Sequence, residues 1–107
     1  MADTRLIYVA AASPDQALAL ARALVEARLV ACANVLPGIR SVYWWDGTVQ
    51  TETEAVLIAK TRADLVEQVI RKVCDLHSYS CPCVVAVPIE SGNQAFLDWI
   101  ATETKAI

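Results

Sequence analysis

An α+β sandwich, an antiparallel sheet with two long helices on one face, is the fold this sequence predicts from three observations. Two segments, opening near Ser13 and near Thr61, carry the helical period. Each lies between short apolar runs rich in β-branched residues, the composition of strands. Asp46-Gly47 then joins two of those runs as a tight turn.

The elements follow in order. Arg5 to Ala12 is almost continuously apolar, with Ile7 and Val9, as suits a central strand buried on both faces. Ser13-Pro14-Asp15-Gln16 supplies a capping hydroxyl, proline at the first helical position, an acid in the positive first turn and a glutamine at N3. From Ala17 to Leu29, the residues Leu18, Leu20, Leu24, Val25 and Leu29 form a wide apolar stripe expected to lie on the sheet. Val30 to Leu36 is apolar except for Asn34, Pro37-Gly38 interrupts it, and Ile39 to Trp45 resumes it, so two strand segments are expected.

Asp-Gly favours the positive φ angles of a type I′ turn, which folds the chain back along Thr48 to Glu54. Neighbours on a strand point to opposite faces, so one of Trp44 and Trp45 should meet the helix layer and the other a partner surface. Both are expected to be packing residues. Thr51-Glu52-Thr53-Glu54 reads as a polar edge or loop, and Ala55 to Lys60 as another buried strand. Thr61-Arg62-Ala63-Asp64 reads as a second helix cap. Its helix sets Leu65, Val66, Val69, Ile70, Val73 and Leu76 on one face. His77 to Pro82 is a loop, Cys83 to Val87 a strand ended by Pro88, and Gly92-Asn93 opens a short helix with Phe96, Leu97, Trp99 and Ile100. Two right-handed crossovers in this order give a ferredoxin-like βαββαβ sandwich with an extended central hairpin and a short C-terminal helix. Its second sheet face is left uncovered, and assembly is the expected remedy.

At 107 residues with no linker or repeat, residues 1–107 make a single domain, and 56% hydrophobic content exceeds the usual ~45–50%. A net charge of −3 without a basic run provides no footprint for nucleic acid. The first apolar run ends at Pro14, short of the ~20 residues of a membrane span, so neither an anchor nor a signal peptide is expected. Cys32, Cys74, Cys81 and Cys83 are then expected as reduced thiols in the cytosol, with Cys32 and Cys74 as small buried hydrophobes. Glycine stands only at 38, 47 and 92, so neither a dinucleotide fingerprint nor a P-loop can be written. One histidine excludes H-E-x-x-H, and no serine sits in G-x-S-x-G. His77 lies near three cysteines, but no orienting residue accompanies them, and the chain reads as a non-enzyme.

The block A-C-A-N-V-L-P-G-I-R-S-V-Y-W-W-D-G, the later L-I-A-K-T, the H-S-Y-S-C-P-C loop and the V-P-I-E-S-G-N ending together resemble the CutA family of divalent-cation tolerance proteins. The resemblance implies a ferredoxin-like fold, a tight homotrimer similar to the PII signalling proteins, a cytoplasmic location, and an association with tolerance of copper and other divalent cations. It also implies that strands from Tyr43 to Thr53 pair between subunits. The family's loop usually reads like H-P-Y-E-x-P-E. Here His77, Tyr79 and Pro82 match it, while Ser78 replaces the proline and Ser80 and Cys83 replace the glutamates.

Two carboxylates, hard oxygen donors, are thereby lost, and the loop becomes thiol-rich. Pro82 holds Cys81 extended, so the thiols of Cys81 and Cys83 should project to one side, with α-carbons about 6.6 Å apart at a rise of ~3.3 Å per residue. With His77 as a third ligand, they form a candidate site for copper or another divalent cation, preferring Cu(I). The plainer reading packs both cysteines beneath the loop and gives His77 a hydrogen-bonded structural role. Arg40, Asp46, Lys60 and Glu90 either line an intersubunit cleft or are solvated surface. Besides a metal-tolerance protein, a PII-like small-molecule sensor or an interaction scaffold stays open.

Overall fold

The capping serine works as its position predicts. Its hydroxyl accepts from Gln16 N at 3.1 Å, and the Gln16 amide oxygen in turn accepts from Ala12 N at 2.8 Å, so the strand-to-helix corner is tied from both sides. In the computed structural model of the chain, which describes residues 3–106, the corner joins β1 (Thr4–Ala11) to α1 (Pro14–Glu26). There follow β2 (Cys32–Trp45), β3 (Thr48–Arg62), a 3₁₀ turn (Ala63–Leu65), α2 (Val66–Leu76), β4 (Val84–Pro88) and α3 (Gln94–Glu103). The four strands form one antiparallel sheet in the order β2-β3-β1-β4, so the fold is the ferredoxin-like α+β sandwich. No described helix is long and apolar enough to cross a membrane.

One sheet face carries the core. Ile7, Val9 and Ala11 of β1 and Ala55, Leu57 and Ala59 of β3 meet Ala17, Leu20, Ala21 and Leu24 of α1 and Val69 and Val73 of α2. The stripe of α1 therefore runs i, i+3, i+4, i+7 from Ala17, and two of its members are alanines that let the helix lie close to the sheet. Leu18 and Val25, expected on that stripe, are 54% and 40% exposed at its margins.

Three further expectations are corrected. The interruption at Pro37-Gly38 is a bulge within a single strand: Leu36 pairs with Val56 and Ile39 with Glu54, so β2 spends one more residue than β3, and Gly38 takes φ +73. Thr51 to Glu54 is the projecting half of a continuous 15-residue strand. Thr61 is no cap either. It remains in β3, fully buried, and its hydroxyl donates to Leu29 O at 2.6 Å, while Arg62 pairs with Asp64 at 2.9 Å and α2 grows from the 3₁₀ turn.

β1 ends at Ala11 opposite Ala55, so beyond that point β2 and β3 pair only with each other. The hairpin projects, and the principal extents are 45 × 25 × 22 Å. Both tryptophans ride on this arm. Trp44 is 74% and Trp45 52% exposed, so neither meets the helix layer, because the strand has passed the last helix before it reaches them. Asp46 and Gly47 take φ +53 and +76, the angles of the expected turn. At the opposite end, Arg28 pairs with Glu103 at 2.9 Å and its carbonyl accepts from Lys105 N, which fastens α3 to the end of α1.

Candidate functional site

The loop from His77 to Cys83 is anchored by its own side chains. His77 Nε2 lies 2.7 Å from Ala10 O, and a carbonyl can only accept, so Nε2 carries the hydrogen. Nδ1 then accepts from Tyr79 N at 3.1 Å, and the two rings sit 4.6 Å apart. Ser78 Oγ accepts from Gln16 Nε2 at 2.6 Å, joining the loop to the first turn of α1.

Anchored so, the loop aims Tyr79 at the hairpin. The Tyr79 hydroxyl donates to Glu54 Oε2 at 2.7 Å, and Glu54 is only 8% exposed. Desolvation, then the hydrogen bond and charge of Glu54, then the charge of Glu52, push the Tyr79 phenol well above its ordinary value. Tyr43 moves in the same direction, by desolvation and then through Glu52. Between loop and hairpin opens a cleft of about 740 Å³, whose lining includes Tyr8, Ile39, Tyr43, Trp45, Glu52 and Glu54 on the sheet and Tyr79, Cys81 and Cys83 on the loop. Of the four charged residues considered for a cleft, Arg40 alone borders it; Lys60 donates to Asn34.

Cys81 and Cys83 are both exposed and both border the cleft, so they do not pack beneath the loop. His77 does not join them. It is buried, and with hydrogen on Nε2 and the Nδ1 lone pair engaged it has nothing free for a metal in this conformation. Among the described residues no three of His, Cys, Asp and Glu stand together as a metal site. Cys74, expected to be buried, is exposed on α2, and Cys32 is half-buried on β2.

Residues 5–103 match the family model of the CutA1 divalent ion tolerance protein. The chain belongs to this family. Its relatives include the divalent-cation tolerance protein CutA of Archaeoglobus fulgidus, 44% identical over 88% of this chain and 91% of that protein. The chloroplastic CutA 1 of rice is 40% identical over 94% of this chain, which spans 56% of the plant protein's length. Among solved structures, rice CutA1 superposes with a TM-score of 0.94 at 38% identity, covering 97% of this chain and 95% of that one. CutA1 of Ehrlichia chaffeensis gives 0.93 at 30% identity and covers 99% of each chain. The CutA fold thus accounts for the scaffold that sets the thiols of Cys81 and Cys83 at the cleft rim.

Tyr43, Glu52 and Glu54 were not singled out by residue type. The register counted back from Asp46-Gly47 was the available signal: it sets Tyr43 opposite Gln50, Ser41 opposite Glu52 and Ile39 opposite Glu54, all on one face.

Proposed function

We propose that this CutA chain is a non-enzymatic, cytoplasmic metal-tolerance protein that works as a homotrimer and holds a soft metal ion, Cu(I) foremost, between the thiolates of Cys81 and Cys83. The exposure of both thiols at one cleft rim, one residue apart around Pro82, carries this reading. Thiolates select soft ions such as Cu(I), and two of them are a sufficient donor set without His77. Anaerobic titration with Cu(I) against a competing chelator tests it. The Cys81→Ser, Cys83→Ser double variant should lose most of the affinity; unchanged affinity would remove the site.

For the trimer, the support is a sheet face left uncovered by helices, on which Leu36, Val85 and Val87 are exposed, and an arm that carries exposed Val42, Trp44 and Val49. Light scattering behind size exclusion should give about three chain masses, and one chain mass at micromolar protein would refute it. A second reading, a small-molecule sensor, is favoured by the cleft itself, whose volume and mixture of apolar walls with a few convergent polar groups suit an organic ligand. A native mass spectrum of untagged protein should then show a retained organic molecule.

A further inference from the structure

Strand alternation sorts the lining of the cleft by charge. Ile39, Ser41, Tyr43 and Trp45 stand opposite Glu54, Glu52, Gln50 and Thr48, so these residues share one face of the sheet, and it is the face that Tyr8 and Ala10 present on β1. Arg40 stands opposite Thr53, and alternation turns its side chain to the other face. The floor of the cleft therefore carries two carboxylates, while Arg40, which also borders the cleft, stands on the other face of the strand. Three aromatic rings, those of Tyr8, Tyr43 and Trp45, stand along it. Among the described residues only His77 with Tyr79 and Phe96 with Trp99 form ring pairs, so none of these three rings is stacked on another.

A ring face is negative at its centre and attracts a cation, most strongly from tryptophan, and a carboxylate beside it adds charge and accepts hydrogen bonds. Glu54 is held in place by Tyr79 and keeps an oxygen beyond the one that accepts from it. Glu52 is exposed and lies beside the Tyr43 hydroxyl. Three ligands for a hard metal ion are not gathered there. What matches carboxylates at one side, aromatic faces around and hydrocarbon walls from Ala10 and Ile39 is an organic cation with an apolar body.

We propose that the cleft binds a small organic ammonium ion, its head against Glu52 and Glu54 and its hydrocarbon on Tyr8, Tyr43 and Trp45. This rests on the sensor reading and names the ligand class that reading leaves open. Calorimetric titration of the metal-free protein in its native assembly with phenethylammonium, and in parallel with the neutral 2-phenylethanol, tests it. Saturable binding of the cation, at least about tenfold tighter than the alcohol, and a loss of about tenfold in Glu52→Gln are the expected results. The Cys81→Ser, Cys83→Ser variant should bind the cation as before. Equal affinity for cation and alcohol, indifference to Glu52→Gln, or loss in the thiol variant would each overturn the proposal. So would absence of binding, as when a neighbouring copy fills the cleft. A retained organic anion or neutral molecule in the native spectrum would sustain the sensor reading while ending this one.

Discussion

Tyr79 is the residue through which loop and hairpin hold each other, and its raised phenol has a consequence for stability. In the unfolded chain tyrosine releases its proton near pH ~10. Folded Tyr79, desolvated and donating to Glu54, still keeps it there. Above that pH the unfolded state binds fewer protons than the native state, so stability is whole below pH ~10 and falls as pH rises beyond it. Tyr79→Phe should show a shallower fall above pH ~10 in urea denaturation. At neutral pH it should be less stable by roughly 1 to 3 kcal/mol, since Glu54, 8% exposed, loses its partner. Equal slopes for the two proteins would show that Tyr79 does not carry the effect. The same residue marks a limit of sequence reading. Local patterns place Tyr79 and His77 on a loop, but the partners that occupy them, Glu54 and Ala10, are 25 and 67 residues away. A ligand role for His77 was plausible only while its second neighbour was out of sight.

Among the elements, the hairpin was the most legible and the most misjudged. Asp46-Gly47 announces its turn, and the angles agree. Gly47 at φ +76 has open space where a Cβ would stand, so Gly47→Ala should cost conformational strain alone, on the order of 1 kcal/mol, measurable as a lowered denaturation midpoint. Gly38, at φ +73 and equally uncrowded, should behave alike in Gly38→Ala. A change of sign at either site would mean that the backbone can relax out of the left-handed region. Composition hid the rest of the arm. Proline, glycine and a run of threonine and glutamate usually punctuate strands, yet cross-strand pairing carries β2 through the bulge and β3 through its polar stretch. For α1 the reading by size overrated Leu18 and Val25, because a helix pressed against a sheet selects small residues at the closest approach.

At the scale of the molecule, an apolar sheet face and an aromatic arm both stand exposed on the single chain. If a trimer completes it, dissociation and unfolding are linked, and the thermal midpoint should rise with protein concentration wherever unfolding is reversible. A midpoint constant over a hundredfold range would show that the single chain is stable alone. The crossover topology was open to a sequence reader because the order of elements constrains it. Chain number was not, since one sequence does not say which exposed faces meet.

The point at which β1 stops also sets a kinetic boundary along β3. From Val56 to Lys60 this strand has a neighbour on both sides, and from Thr48 to Glu54 on one side only. Amide hydrogen exchange should register that boundary: the inner half should exchange only when the sheet opens, whereas in the outer half alternate amides face outward with no acceptor from their own chain. Those outward amides are then reporters of company. Slow exchange on diluting the protein into heavy water would mean that another chain's carbonyls have taken them, and comparing dilute with concentrated samples, amide by amide, would trace the docking edge before any complex is crystallised.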